Sequence, residues 1–307
     1  METLELTRLI KEIGRGKNAA RDLNQDDARA LFGAMLQGAV PDLQLGAVLM
    51  ALRIKGESLE ELAGFLQACE ASYQHLAAPA STVPVVIPAY NGARQLPNLT
   101  PLLAHLVARE GVPVLLHGVR TDPGRVTTHE VLAAMGINAV STVSDAQQQL
   151  ADRNLAFMPI EILAPSLARL LALRRAMGVR SSGHTLAKML QPFATPAVRL
   201  VSVTHPDYVL RMREFFTRFG AGALLLRGAE GEAVAHPRRA PSIDWLYGGD
   251  MQTWQAPVPE QPQLPENRDA SITAAWIHEA LAGTQPIPAA IAHQVSCCVT
   301  AARSVGG

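Results

Sequence analysis

The chain has 307 residues, 48% hydrophobic and 18% charged, a globular composition that excludes intrinsic disorder and leaves room for a large domain beside a small one. Lys and Arg number 27 and so do Asp and Glu, so total charge points to no partner. No apolar run reaches the roughly 18–20 residues that span a bilayer, and the start of the chain lacks a signal-peptide pattern, so a cytoplasmic protein without a membrane segment is expected.

Residues 1–77 read as helices. "DDARALFGAMLQGAV" places Ala28, Leu31, Phe32, Met35 and Leu36 at three- and four-residue spacings, with Asn24 or Asp26 as its cap. "PDLQLGAVLMALRIKG" is opened by Pro41 and closed by Gly56, and Ser58 and Glu61 stand in capping-box spacing before the next helix. Upstream, Leu6, Leu9 and Ile13 predict an exposed apolar stripe. At Ala78 a linker-like "APASTVP" begins and the texture changes. Short β-rich runs follow: "VPVVIP" (83–88), "VPVLLHG" (112–118), "AVSTV" (139–143), "LAFMPI" (155–160), "VRLVSVTH" (198–205) and "GALLLRG" (222–228). Helical stretches such as 127–135 and 206–219 lie between most of them, with Pro206 at the first position of its helix. The alternation predicts an α/β domain with a mainly parallel sheet covered on both faces. After "HPRRAP" the Pro-rich stretch to about Glu266 reads as irregular, and two helices near 270–282 and 287–303 finish the chain. The three cysteines, Cys69, Cys297 and Cys298, show no metal-ligand spacing and read as small buried residues.

Two local features point to anion binding. "VVIPAYNGARQLPNLTPLLA" (85–104) reads as strand, loop and helix start, where an α/β protein usually seats a phosphate, yet it has the single glycine Gly92 and carries Arg94. From Ile162 to Pro206 there is no Asp or Glu, while Arg169, Arg174, Arg175, Arg180, Lys188 and Arg199 are present with His184 and His205. Such asymmetry in a neutral chain suggests an anion-binding surface, although a set of solvated helix faces would read the same way.

"ARALFGAMLQGAVPDLQLGAVLMALRIKGESLEELAGFLQA" resembles the helical N-terminal domain of anthranilate phosphoribosyltransferases and their nucleoside-phosphorylase relatives. "VLLHGVRTDPGRVTTHEVLAAMG" (114–136), "LRRAMGVRSSGHTLAKMLQP" (173–192) and "LLLRGAEGEAV" (224–234) extend the resemblance over most of the chain. It implies a helical domain of residues 1–77, joined by helices from about 161–192, and an α/β domain of 78–307. The departures fall at the chemistry. The family's Gly-Thr-Gly-Gly-Asp diphosphate loop is "PAYNGAR" here, although Asn98 and Thr100 match the Asn-x-Ser that follows it. Leu116 and Val119 replace a lysine and an asparagine around His117, Gly118 and Arg120. Glu232 is followed by Ala233, so the family's adjacent Asp-Glu pair for magnesium is incomplete, and Glu230 is wrongly spaced to restore it. Phosphoribosyl transfer needs its leaving group neutralised by metal and clamped by backbone donors, so no catalytic residue, metal or cofactor is expected.

"IKEIGRGKNAARDL", "IPAYNGAR" and "MGVRSSGHTLAK" further resemble the YbiB-like proteins of this fold. That resemblance implies a homodimer, paired through the helical domain, that binds nucleic acid, DNA or alternatively RNA, in a basic cleft between the two domains. The expected contacts are Arg174, Arg175, Arg180, His184, Lys188, Arg94, Arg120, His117, Arg15, Lys17 and Arg21. Contacts of this kind grip backbone and tolerate sequence, and no helix-turn-helix or zinc finger is present to add base reading. Arg94 and the helix start near Thr100 would then meet a backbone phosphate. A phosphoribosyltransferase or phosphorylase, and a small-anion or nucleotide sensor, are the alternatives for the same residues.

Overall fold

The computed structural model describes residues 3–16, 18–79 and 82–305. In chain order the elements are α1 (Thr3–Ile13), α2 (Gln25–Gln37), α3 (Asp42–Lys55), α4 (Leu59–Glu70), β1 (Val85–Ala89), α5 (Thr100–Arg109), β2 (Val114–Gly118), α6 (Thr128–Ala134), α7 (Val143–Arg153) and β3 (Leu155–Pro159). There follow α8 (Ile160–Leu163), α9 (Pro165–Ala172), α10 (Arg174–Met177), α11 (Ser182–Leu186), β4 (Val198–Ser202), α12 (Pro206–Phe219), β5 (Ala223–Leu226), β6 (Ile243–Tyr247), β7 (Asp250–Trp254), α13 (Ala270–Ala282) and α14 (Ala289–Val305). The chain divides into two compact units, Met1–Gln74 with Leu163–Leu190, and His75–Ile162 with Gln191–Gly307.

The first unit is helical. Its helix ends follow from local chemistry. Asn24 accepts from the Asp27 N–H at the start of α2, and Gly38, at φ 73°, closes that helix in the left-handed conformation. Ser58 and Glu61 form a reciprocal capping box on α4. Glu61 is fully buried there and is paired with Lys55 Nζ at 2.7 Å. Phe32 and Phe65 stack in the core with ring centroids 4.9 Å apart. Leu6, Leu9 and Ile13 are 4%, 0% and 1% exposed, so the expected apolar stripe on α1 is instead part of this core. The exposed apolar stripe lies on α3, where Leu43, Ala47, Met50 and Ile54 follow one another at helical spacing.

The second unit is built on a seven-stranded sheet in the order β3-β2-β1-β4-β5-β6-β7. The pairs from β3 to β5 are parallel, and β5-β6 and β6-β7 are antiparallel. Strands β1 to β5 are buried along their whole length, as continuous apolar runs in a covered parallel sheet should be. Two expectations are corrected. "AVSTV" is no strand: Thr142 caps α7 by accepting from the Asp145 N–H, so the β-branched run ends in a helix start. The stretch after "HPRRAP" is not irregular throughout. It forms the β6-β7 hairpin, turned at Gly248 and Gly249, which extends the sheet at its edge. Cys69, Cys297 and Cys298 are buried free thiols, and burial pushes the Cys297 thiol up to about 12. Among the described residues no helix is long and apolar enough to cross a membrane.

The order of strands reverses between β1 and β4, since β2 and β3 lie to one side of β1 while β4 and β5 lie to the other. In open α/β sheets the crevice beyond the carboxyl ends of the strands at such a reversal is where ligands bind. The loops that follow β1, β4 and β5 meet there.

Candidate functional site

The loop after β1 offers a run of backbone donors. The Asn91 and Gly92 N–H groups point at one oxygen of Glu232, at 2.7 and 2.5 Å. The Arg94, Gln95 and Leu96 N–H groups converge on the carboxylate of Glu230, at 2.7, 2.9 and 3.2 Å. Successive amides turned to one side make an anion nest of the kind that holds phosphate. Here both anions are carboxylates of the loop that follows β5. Glu232 is 2% exposed and also accepts from Thr128 Oγ1. Gly231, between the two glutamates, has φ +89°, and a Cβ there would collide with the Asn91 side-chain amide. The glycine therefore lets the two loops close on each other. Arg268 Nη1 fastens the arrangement from outside by donating to the Arg94 and Gly124 carbonyls at 2.7 and 2.9 Å.

The floor of the loop is buried. Asn98 donates to Thr128 and accepts from the Thr100 N–H. Asn98 and Thr100 are 2% and 0% exposed, so the helix start near Thr100 does not offer a surface phosphate contact. The Arg94 side chain is exposed, but its N–H is held by Glu230. His117, on β2, is 1% exposed and its Nδ1 lies 2.7 Å from the Tyr90 hydroxyl. Burial lowers its pKa to about 3, so the imidazole is neutral. His117 is thus a structural histidine under the loop, a correction to its expected place among the nucleic-acid contacts. Arg120 is exposed, and its carbonyl accepts from the Thr127 hydroxyl.

In the helical unit the structure gathers several of the expected basic residues. Burial lowers the pKa of His184 to about 4, and the nearby charges of Arg180, Arg174 and Lys188 lower it further in that order. His184 is therefore neutral, its Nδ1 accepting from the Ser181 N–H at the start of α11, and the cations around it carry the charge. Arg53, which sequence reading did not single out, donates to the Arg180 carbonyl at 2.9 Å. Arg175 is exposed on α10 beside them. Arg15 and Arg21 both pair with Glu12, at 2.6 and 3.7 Å, so their charge is partly spent locally. Lys17 lies outside the described residues. Two bases of the acid-free window serve the fold. Arg169 donates to the Leu36 carbonyl at the end of α2, and Arg199 is buried with its guanidinium 5.3 Å from the Phe216 ring centroid.

At this loop the carboxylates that correspond to the magnesium-binding turn of the resemblance are engaged with the chain itself. Both oxygens of Glu230 and one of Glu232 are directed at backbone amides, which repel a cation, the other Glu232 oxygen accepts from the Thr128 hydroxyl, and the residue after Glu232 is Ala233. Among the described residues no group of three or more His, Cys, Asp or Glu side chains is placed to hold a metal.

Comparison with known proteins agrees with this architecture. Residues 7–72 match the helical bundle domain of the glycosyl transferase family, and residues 92–241 match the a/b domain of that family. The uncharacterized protein YbiB of Escherichia coli (strain K12) is 46% identical over 302 residues, covering 97% of this chain and 94% of that protein. Anthranilate phosphoribosyltransferase of Novosphingobium aromaticivorans is 32% identical over 213 residues, 68% of this chain and 63% of that enzyme. The crystal structure of anthranilate phosphoribosyltransferase from Thermus thermophilus superposes with a TM-score of 0.77 at 21% identity, over 99% of this chain and 89% of that one.

Proposed function

The chain belongs to the glycosyl transferase family that joins a helical bundle to an a/b domain, and we propose that it uses this framework to hold nucleic acid by its phosphate backbone rather than to transfer a phosphoribosyl group. The observation that carries the reading is the filled nest. Amides that would clamp a diphosphate already hold Glu230 and Glu232, and a pyrophosphate leaving group would meet two carboxylates there. Positive charge is concentrated instead around His184, where Arg174, Arg180 and Lys188 set a potential that favours an anion. Arg175, Arg94 and Arg120 are exposed and are proposed as further contacts. The grip is to backbone, so binding tolerates sequence. A homodimer is part of the proposal, supported by the exposed apolar stripe of Leu43, Ala47, Met50 and Ile54 on α3.

Family membership favours a second reading, a phosphoribosyltransferase or phosphorylase reaction, with Arg174 and Arg120 on substrate. One pair of assays separates the two. In an electrophoretic shift with a random duplex at about 0.1 M salt, the binding reading expects a complex, and each phosphate contact removed by Arg174→Glu, Arg180→Glu or Lys188→Glu should lower the slope of log affinity against log salt by about 0.9. Arg303→Glu is the control. Steady product from anthranilate, phosphoribosyl pyrophosphate and magnesium, with no duplex shift, would establish the second reading in place of the first. Light scattering at micromolar concentration should give a dimer mass that Met50→Glu reduces to that of a monomer.

A further inference from the structure

Beside the filled nest lies a cavity of about 650 Å3, lined by Gln95, Thr204, Arg227, His236, Arg238 and Arg239 together with Glu230. It opens where the loops after β4 and β5 leave the sheet, at the reversal of strand order. Arg227, Arg238 and Arg239 are exposed, and among the described residues none of them pairs with a carboxylate or makes a side-chain hydrogen bond. The one acid lining the cavity among the described residues, Glu230, has its oxygens on the Arg94, Gln95 and Leu96 amides. The His236 ring faces the same space. Its Nδ1 accepts from the Arg238 N–H at 3.1 Å, which leaves Nε2 to carry the proton and donate.

We infer that this cavity is a phosphate site, taking a group of charge −2 or more such as a terminal phosphate or a pyrophosphate. Three guanidinium groups against one committed carboxylate leave an excess of about two positive charges, which a dianion balances and a singly charged phosphodiester does not. Guanidinium forks match phosphate oxygens in pairs, and Gln95, Thr204 and His236 add neutral donors around them. The volume admits the phosphate together with the group that carries it. Such a ligand has two sources, a small phosphorylated molecule or the 5′-phosphate end of a nucleic-acid strand. The inference does not rest on duplex binding, since every group it uses lies in the α/β unit and it is tested with a small anion.

The test is calorimetric titration of the full chain with inorganic pyrophosphate, in EDTA and without divalent metal. Wild type should bind saturably, and Arg238→Ala and Arg239→Ala should each weaken binding about tenfold, the effect of one charge-assisted hydrogen bond. Arg303→Ala should bind as wild type does. Absence of saturable binding by wild type, or equal binding by the Arg238→Ala/Arg239→Ala double variant, would overturn the site. With the site established, competition by a 5′-phosphorylated oligonucleotide but not by its 5′-hydroxyl form assigns it to strand ends. Equal failure of both to compete assigns it to small phosphorylated molecules. Loss of duplex binding alone, with pyrophosphate still bound, would remove the nucleic-acid reading and leave this site standing.

Discussion

The nest after β1 and the arginine cavity beside it are neighbouring devices for holding negative charge, and they are in opposite states. The nest uses backbone N–H groups, and the chain fills it with its own Glu230 and Glu232. The cavity uses guanidinium groups, and among the described residues no carboxylate is paired with them. The difference follows from what each donor requires when no ligand is present. A buried N–H left unpaired costs about 1–3 kcal/mol, so the buried Asn91 and Gly92 amides need an acceptor even when no ligand is present. An exposed arginine is satisfied by water and can wait. The backbone donors are therefore tied into the fold, while the guanidinium groups are not.

The sharpest way to break this contrast is Glu232→Ala. It strands two buried amides and the Thr128 hydroxyl, and it should destabilise the protein by about 3–5 kcal/mol. Urea denaturation measures it. A loss below about 1 kcal/mol would mean that the nest is not structural. Glu230→Gln keeps one acceptor oxygen at the more open end of the loop, and hydrogen exchange of the Arg94, Gln95 and Leu96 amides should quicken with little change in global stability.

A pH series tests the floor beneath the nest. The folded pKa of His117 is lowered from 6.5 to about 3, so between these values the unfolded chain holds a proton that the folded one lacks. Its contribution is complete above the unfolded pKa and is lost as pH falls, at about 1.4 kcal/mol per pH unit within the window. His117→Gln should flatten that part of the stability profile between pH 6 and about 4. An unchanged slope would show that His117 is not buried as a neutral ring.

The smallest expected effect completes the comparison. Arg238→Ala with Arg239→Ala should change stability by less than about 0.5 kcal/mol, as exposed substitutions away from packed features do. A melting temperature lowered as far as that of Glu232→Ala would place the arginines in the fold rather than in a site.

Much of the architecture was legible in the sequence because it is written locally. The Asn24 cap, the Ser58–Glu61 box and the Pro206 helix start are decided within one turn of chain, and the apolar runs of β1 to β5 announce a covered parallel sheet. Local reading also had failures. Thr142 and Val143 look like strand but serve as a helix start, and Leu6, Leu9 and Ile13 look like a stripe awaiting a partner chain but are covered within their own unit. The candidate site was half legible. The acid-free window pointed to the cations around His184, and the loop "PAYNGAR" visibly departs from a glycine-rich phosphate loop. The tertiary structure alone decided what fills that loop. Asn91 and Glu232 are 141 residues apart, and no spacing rule links a backbone amide to a carboxylate at that distance. The "HPRRAP" arginines were not singled out in the sequence, and only the folded loops after β4 and β5 place them around a cavity. Caps and periodicity depend on neighbours that the chain itself fixes, whereas charge compensation depends on which loops the sheet brings together at its carboxyl edge.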